Sequence, residues 1–311
     1  EEGINEAGAF SAWLALATSY SNNQFPMIPI YIFYSMFGFQ RIHDLAWAAG
    51  DSRARGFLLG ATSGRTTLNG EGLQHQDGHS HVLASTIPNC RSYDPAFSYE
   101  ISTIIQEGIK DMYVQGNDRF YYLTLMNENY QHPKRPKNAT SKNIINGAYK
   151  FLEAKNPSIR ILASGVTLNF AIQAEKLLSK MNVIAEIWSI TSFNELYKGG
   201  IESDRNNRFE INNSPSHVEE CFSNEMTTIA VSEYIRSYPN QIRQWVKGDY
   251  IVLGTDGFGR SDTRDKLRDH FEINANHIAL NALYSLNMKK EAREFIKSNK
   301  IKMDEIAPWL K

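Results

Sequence analysis

The sequence predicts an α/β protein whose parallel sheets carry helices on both faces, divided into two domains. Short apolar segments of strand character alternate along the chain with amphipathic segments of helical period. A polar segment without periodicity, NENYQHPKRPKNATS, interrupts this alternation at 127–141. With 311 residues, 42% of them hydrophobic and 22% charged, the chain is long enough to form two buried cores. We therefore expect one domain at 1–135 and a second at 142–311.

The first half begins with a helix and a strand. Asn5 can cap a helix from about 6 to 20, because apolar residues recur at helical spacing behind it. MIPIYIF then predicts a buried strand, although Pro29 favours an irregular start or an edge position. A second helix should end at Gly50, since Gly commonly follows the last helical residue. The apolar positions of the two helices are Phe10, Trp13, Leu14, Ala17, Ile42, Leu45, Ala46 and Ala49.

Two more strands and a helix complete this half. GFLLGA predicts a short strand that leads into a long loop, and FYYLTLM at 120–126 predicts another strand. Between them, Asp94 and Pro95 form a good N-cap and first-turn pair for a helix. The core stripe of that helix is Ile101, Ile104, Ile105, Ile109 and Met112.

The alternation resumes after the polar segment. The strand-like segments are IRILASG, VIAEIWSI, MTTIAVSEY and YIVLGTDGFG, and helices are expected at 167–180, around Glu219 and around Ile242. Ser261 can cap a helix over DTRDKLRDHF. A last helix should bury Ile278, Ala282, Leu283 and Leu286.

Charge and cysteine content narrow the classes of partner and compartment. The formal net charge is −1 and the pI is near 6.8, so nucleic acid and anionic membranes are not expected as main partners. Cys90 and Cys221 fit neither a zinc spacing nor a disulfide framework, which favours a reducing compartment such as the cytoplasm or a mitochondrial matrix. The longest apolar run, 25–39, contains two prolines and is too short to span a membrane. Because the chain starts on EEGINEAGAF without Met, we expect that residue 1 is not the natural start.

The segment from Gly60 to His81 is the best candidate for a functional site. It holds five Gly and three His, and it has little apolar surface to hold it in place, so binding is a better reason for it than packing. His75, His79 and His81 could bind zinc, polarise a substrate or be solvated. Zinc is not favoured, because this spacing is not a helical i, i+4 pair and no partner motif stands elsewhere.

Three other features have simpler explanations when the residues are considered alone. Glu6 at a helix N-terminus is typical of a surface carboxylate that complements the helix dipole. GTDGFGRSD at 254–262 lacks the spacing of a phosphate-binding loop. The aromatic residues of YIFYSMFGF would pack into a core, and they are Tyr31, Phe33, Tyr34, Phe37 and Phe39.

Six stretches resemble the C-terminal portion of the homodimeric bacterial type of pyruvate dehydrogenase, a thiamine diphosphate enzyme family of the transketolase superfamily. They are EEGINEAGAF, YIFYSMFGFQRI, DLAWAAGD, TSGRTTLNGEGLQHQDGHSH, IPNCRSYDPAFSYE and YIVLGTDGFGRSDTRDKLRDHFE. The resemblance implies three-layer α/β/α domains. Residues 1–135 would be an N-terminally truncated pyrimidine-binding domain, and 142–311 would be a transketolase C-terminal-like domain.

The resemblance also assigns roles to four residues. Glu6 matches the glutamate that hydrogen-bonds the cofactor's aminopyrimidine, and Phe37 matches the aromatic residue that packs on it. Tyr34 matches a tyrosine that contacts substrate. His75 matches the histidine that faces the substrate carboxylate and the covalent adduct. The resemblance assigns no role to His79 or His81.

The activity implied is oxidative decarboxylation of pyruvate, with the acetyl unit passed to the lipoyl group of a dihydrolipoyl acetyltransferase. The family implies thiamine diphosphate with Mg²⁺, a homodimer and a cytoplasmic location. GDG, the start of the superfamily's metal and diphosphate motif, is absent, since only GDS at 50 and GDY at 248 occur. We therefore expect the chain to be a fragment that supplies the pyrimidine side of the pocket, holds no metal and is inactive alone. The alternatives are a relative acting on another 2-oxo acid or a sugar phosphate, which GLQHQDGHSH disfavours, and a non-catalytic dimerisation module.

Overall fold

Two β-sheets organise the protein, whose computed structural model describes residues 2–303 and 305–311. The first sheet has the order β1-β2-β4-β3 and is parallel throughout. The second has the order β5-β7-β6-β8-β9, in which only the β5–β7 pairing is antiparallel. The strands are β1 Ile30–Tyr34, β2 Phe57–Ser63, β3 Cys90–Tyr93, β4 Phe120–Met126, β5 Ala148–Leu152, β6 Ile159–Ala163, β7 Ala185–Ile190, β8 Thr228–Val231 and β9 Tyr250–Leu253.

Helices occupy the connections between strands. They are α1 Glu6–Ala17, α2 Ser19–Asn22, α3 Ser35–Asp51, α4 Ser80–Ser85, α5 Ser98–Ile109, α6 Ser141–Ile145, α7 Thr167–Ser179, α8 Phe193–Arg208, α9 His217–Cys221, α10 Ser237–Asn240, α11 Arg264–His270, α12 Ala275–Ser285 and α13 Lys289–Ser298. A π-helical turn, Lys110–Val114, extends α5, and 3₁₀ turns lie at Leu73–His75, Arg243–Trp245 and Pro308–Leu310. Within the described residues, no helix is both long and apolar enough to cross a membrane.

Each sheet is the middle layer of three. The first sheet packs on α1, α3 and α4 through one buried cluster and on α5 and α6 through another. The second sheet packs on α7, α12 and α13 on one face and on α8, α9 and α10 on the other. Burying both faces of a parallel sheet in this way is the arrangement that the alternating sequence predicts. The predicted α/β class with three-layer units is therefore confirmed.

The carboxyl ends of the two sheets meet. Asp94, just after β3, donates its backbone N–H to the carbonyl of Thr191 after β7 (2.8 Å), and its own carbonyl accepts from Gly165 after β6 (3.0 Å). The Ser192 hydroxyl donates to the carbonyl of Ser92 in β3 (2.5 Å). Loops that follow strands of both sheets therefore share one junction, which is where parallel α/β sheets usually place a ligand.

Most elements predicted in the first half exist, with shifted ends. Asn5 caps α1 by accepting from the N–H of Gly8, but α1 ends three residues short of position 20. β1 is the edge strand that Pro29 favoured, although it is not buried as predicted, since Ile30 and Ile32 are more than half exposed. The α3 helix runs one residue past Gly50, and it begins early enough to include the second half of YIFYSMFGF.

Two predicted helix caps are wrong. The helix after Asp94 and Pro95 starts at Ser98, because Asp94 is fully buried between the sheets and is not available as a cap. The cap of α11 is Thr263 rather than Ser261. The polar segment predicted at 127–141 has no helix or strand up to position 140, and α6 begins at Ser141. The expected helix around Ile242 is only the short α10 and a 3₁₀ turn. The elements β3, β5, α4, α6, α8 and α13 were not predicted.

Candidate functional site

Three residues singled out in the sequence meet at the carboxyl end of β1. Tyr34 ends β1, and Phe37 lies in the first turn of α3. The imidazole of His75 packs edge-on against both rings, with centroids 5.8 Å from Tyr34 and 5.2 Å from Phe37. The Tyr34 and Phe37 rings lie 5.6 Å apart. All three side chains are half-buried, so they line an accessible surface rather than the core.

Arg41 connects Glu6 to this group, and sequence reasoning missed it. Its guanidinium carbon lies 4.4 Å from the centroid of the Phe37 ring, in cation–π contact. The same guanidinium donates to Oε1 of Glu6. The contact with Phe37 is a helical i, i+4 pair, which was a signal available in the sequence. Glu6 is therefore paired and only 23% exposed at its side chain, rather than a solvated surface carboxylate.

The turn from β1 into α3 depends on Gly38. A Cβ built there would lie 2.0 Å from the Phe33 ring, which packs against the helix backbone. Phe33 and Phe39 point into the core, whereas Tyr31, Tyr34 and Phe37 are only partly buried. The expectation that the whole aromatic set is core is therefore wrong for Tyr34 and Phe37, whereas Tyr31 is partly buried and packs against the core. The close packing of Phe33 on Gly38 sets the direction in which Phe37 projects.

His75 stands on the 3₁₀ turn Leu73–His75, in the segment 64–79 that we call the histidine loop. Its Nδ1 is buried and has no hydrogen-bond partner within the described part of the chain. An unsatisfied buried ring nitrogen costs free energy, so such an atom is expected at a place where a ligand completes the bonding. His75 is thus the polar group of the site that is least satisfied by the protein itself.

His79 and His81 are placed differently from His75. Nε2 of His79 lies 2.9 Å from the amide nitrogen of Gln40, and burial lowers the pKa of the ring. His81 is fully buried; its Nε2 lies 3.0 Å from the Thr124 hydroxyl, and its ring stacks on Tyr238 at 4.8 Å. Burial lowers the pKa of His81 to about 3, so this imidazole is neutral at ordinary pH. Among the described residues, no group of three or more His, Cys, Asp or Glu side chains is arranged to hold a metal ion.

The histidine loop is held by polar contacts, contrary to the expectation that little fixes it. Arg65 is only 3% exposed, and its guanidinium donates to the carbonyl of Gly257. The N–H of Gly70 donates to the carbonyl of Asp262 (3.0 Å). The GTDGFGRSD segment therefore contacts the histidine loop and helps to hold it in place. The backbone carbonyls of Gly257 and Asp262 face the loop, which is the opposite polarity to a phosphate cradle.

Comparisons with known proteins agree with this architecture. Residues 1–133 match the family model described as the pyruvate dehydrogenase E1 component middle domain, and residues 147–274 match that of the transketolase-like TK C-terminal domain. A pyruvate dehydrogenase E1 component of Pseudomonas aeruginosa is 55% identical over 92% of this chain, and that of Escherichia coli K12 is 46% identical over 100%. These alignments cover 33% and 36% of the two relatives, so the chain spans about a third of their length.

Solved transketolases share the fold at low sequence identity. The enzyme of Leishmania mexicana superposes with a TM-score of 0.67 at 16% identity, over 95% of this chain and 37% of that chain. A structure described as a split gene transketolase, inactive beta4 tetramer, superposes with a TM-score of 0.63 at 14% identity, over 89% of this chain and 80% of that chain. The two matched family models and the identity along the chain lead to one assignment. The chain belongs to the family of pyruvate dehydrogenase E1 components, and its fold is that of the transketolases.

Proposed function

We propose that this chain supplies the pyrimidine side of a thiamine diphosphate pocket in an enzyme that decarboxylates pyruvate oxidatively. The observation that carries the proposal is the contact series from Glu6 through Arg41 and Phe37 to His75. It joins a carboxylate, an aromatic face and an unsatisfied imidazole, which are the three kinds of group that the cofactor and its substrate need. The membership of the chain in the E1 family supports the same reading.

The residues present fit the aminopyrimidine part of the cofactor. Arg41 places a planar group with N–H donors against the Phe37 ring and the Glu6 carboxylate. An aminopyrimidine is also planar and polar at its edge, so it could pack on the Phe37 ring and hydrogen-bond the same carboxylate while Arg41 remains on Oε1. Arg41 binds Oε1 of Glu6, and we assign Oε2 to the ring nitrogen. The diphosphate and Mg²⁺ would be held outside this chain, since the GDG motif is absent from it.

The cofactor, when bound, supplies an acidic ring carbon that becomes the nucleophile toward the keto group of pyruvate. The task of Glu6 is to hold a proton at the pyrimidine nitrogen and so favour the form of the ring that activates this carbon. The ion pair with Arg41 would keep the Glu6 carboxylate oriented toward that position. Phe37 excludes water from one face of the ring, which strengthens the hydrogen bond to Glu6.

His75 and Tyr34 would act on the substrate. The half-buried imidazole can donate to the pyruvate carboxylate or to the oxygen that becomes charged when the carbonyl is attacked. Each contribution of this kind is worth roughly 10²–10⁴-fold in rate. Tyr34 contacts the His75 ring and can offer its hydroxyl as a second hydrogen-bond donor. In this proposal the edge-on packing against Phe37 keeps the imidazole aimed at the same place as the cofactor ring.

We propose further that the chain functions as part of a longer enzyme. It spans about a third of the length of its relatives. A split gene transketolase chain that it matches over 80% of its length is described as an inactive tetramer. We expect a homodimer that passes its acetyl unit to the lipoyl group of a dihydrolipoyl acetyltransferase in the cytoplasm. The second candidate, a non-catalytic dimerisation module, is favoured only for the chain in isolation.

The test compares this chain alone with the full-length enzyme that contains it. The full-length enzyme should bind thiamine diphosphate with Mg²⁺, decarboxylate pyruvate and acetylate a lipoyl domain, whereas the isolated chain should show no micromolar affinity in a calorimetric titration. Xylulose 5-phosphate serves as the competing substrate. Turnover of the sugar phosphate in preference to pyruvate would contradict the proposed reaction, and tight binding by the isolated chain would contradict the division of the pocket.

A further inference from the structure

A buried carboxylate from the second sheet holds the first turn of the histidine loop. Glu233 follows β8 at its carboxyl end. Its Oε2 accepts from the backbone N–H of Thr66 (2.7 Å), and its Oε1 accepts from the Thr66 hydroxyl (2.5 Å). Both residues are fully buried. Two hydrogen bonds to one residue fix both its backbone and its side chain.

The charged groups around Glu233 oppose separation of its carboxylate from Thr66, the contact that we call the Glu233 anchor. Burial raises the pKa of Glu233, and the nearby Arg268 partly counteracts this effect. The Nε of Arg268 donates to the Thr66 hydroxyl at 3.2 Å, and the same guanidinium is ion-paired with Glu128. If Thr66 moved away, a buried carboxylate would lose two donors at once, which is costly in a water-poor site. The histidine loop therefore remains fixed at Thr66 as long as the Glu233 carboxylate is present.

The other end of the loop is anchored to the same part of the chain. The Gln76 amide donates to the carbonyls of Leu68 (2.9 Å) and Arg260 (2.7 Å), and its oxygen accepts from the N–H of Arg260 (2.8 Å). The N–H of Ile235 donates to the carbonyl of Gly78 at 2.8 Å. The turn that carries His75 lies between these two anchors. Its position relative to α3 is thus set by residues that follow β8 and β9.

We propose that Glu233 is a positioning residue for His75, acting through Thr66 rather than through any contact with substrate. The proposal rests on the substrate-binding role of His75 proposed above. With both anchors in place, the imidazole stays against Tyr34 and Phe37. With the Glu233 anchor lost, the loop is still held at Arg65, Gly70 and Gln76, but its first turn can shift and the imidazole no longer keeps one distance to the substrate. A displacement of about 1 Å in a positioned group can cost 10²-fold in rate.

The experiment uses the full-length enzyme with thiamine diphosphate and Mg²⁺. Glu233→Gln removes the charge and one acceptor, and Thr66→Val removes only the hydroxyl with little change of shape. Thr66→Ser keeps the hydroxyl and is the rescue variant. Glu100→Gln is the matched control, because Glu100 is also fully buried and accepts from four donors, none of them in the histidine loop. The readouts are kcat and KM for pyruvate, melting temperature, and the rate of tryptic cleavage after Arg65, which is buried in the anchored loop.

We expect Glu233→Gln and Thr66→Val to lower kcat/KM for pyruvate by roughly 10- to 100-fold. Both variants should also speed cleavage after Arg65 by at least about 10-fold, and a 10-fold change equals about 1.4 kcal/mol in the free energy of loop opening. Thr66→Ser should restore both values. Glu100→Gln should lower the melting temperature without changing either.

Two results would overturn the proposal. One is wild-type kinetics and wild-type cleavage in Thr66→Val, the variant least at risk of misfolding. The other is an equal loss in Glu100→Gln, which would mean that general destabilisation is responsible. If the wild-type enzyme itself does not turn over pyruvate, the proposed function fails, while the cleavage rates still decide whether Glu233 holds the loop.

Discussion

Replacing Asp94 by Asn should remove a pH dependence of folding stability that originates at the junction of the two sheets. Asp94 is fully buried. It accepts from the hydroxyls of Thr124 and Ser164, each at 2.7 Å. Burial raises the pKa of Asp94 from 3.8 to about 7, and the two hydroxyl donors only partly counteract this. Asn has the shape of the protonated acid, so Asp94→Asn keeps the packing and removes the titration.

The sign of the effect follows from proton binding. Between pH 3.8 and about 7 the unfolded carboxyl has lost its proton while the folded one keeps it. The unfolded state then binds fewer protons, so the free energy of unfolding falls as pH rises through this window, by about 1.4 kcal/mol per pH unit. From pH 5 to pH 8 the wild type should therefore lose about 3 kcal/mol relative to Asp94→Asn. Above pH 7 the loss stops, because both states are then ionised.

The assay is urea unfolding of the wild type and of Asp94→Asn at pH 5, 6, 7 and 8. Subtracting the two free energies cancels the titrating groups that Asp94 does not influence, including His81, whose lowered pKa destabilises the fold in the acid range in both proteins. Asp44→Asn, a change at an exposed aspartate, is the control and should parallel the wild type. A difference between wild type and Asp94→Asn that stays constant within about 0.5 kcal/mol, well below the worked magnitude, would refute a protonated Asp94.

Three further predictions follow from the site and from the exposed segment after β4. In the full-length enzyme, Glu6→Gln should lower turnover at least about 10-fold, which equals roughly 1.4 kcal/mol in the barrier, while the melting temperature stays near that of the wild type. Intact turnover with a loss of only about 0.3–1 kcal/mol of stability would mean that Glu6 only complements the helix dipole. Gly38→Ala should destabilise by about 1–3 kcal/mol in urea unfolding, because the new methyl overlaps the Phe33 ring; wild-type stability would show that this packing relaxes freely. Trypsin should first cut the chain after the exposed Lys134 or Lys137, and mass spectrometry finding first cuts in the histidine loop would contradict its anchoring.

The elements that the sequence predicts well are those determined by local chemistry. Asn5 caps α1, and the apolar spacing behind it gives the buried face, because both signals act within one or two turns. Asp94 and Pro95 misled the prediction because tertiary burial of the carboxylate outweighs its capping preference. β3 was missed because its four residues, which include Arg91, are too few and too polar to produce a strand pattern.

The residues of the candidate site also differ in whether the sequence could identify them. Glu6, Tyr34, Phe37 and His75 were identified through the family resemblance, and the structure brings them together. Arg41 was within reach of i, i+4 reasoning. Glu233 was not, because it contacts Thr66 across 167 positions of sequence and nothing in its own surroundings marks it as part of the loop.

Because the histidine loop is anchored by residues far along the sequence, the site can be completed only after most of the chain has been synthesised. Gln76 and its partner Arg260 are 184 positions apart, and at about 5–20 residues per second a ribosome needs about 10–40 s to join them. During that interval the nascent chain already contains every side chain of the site, but the contacts of Gln76 with Arg260 cannot yet form. A polypeptide released in this window would carry the site residues of this chain without the anchor that Arg260 supplies.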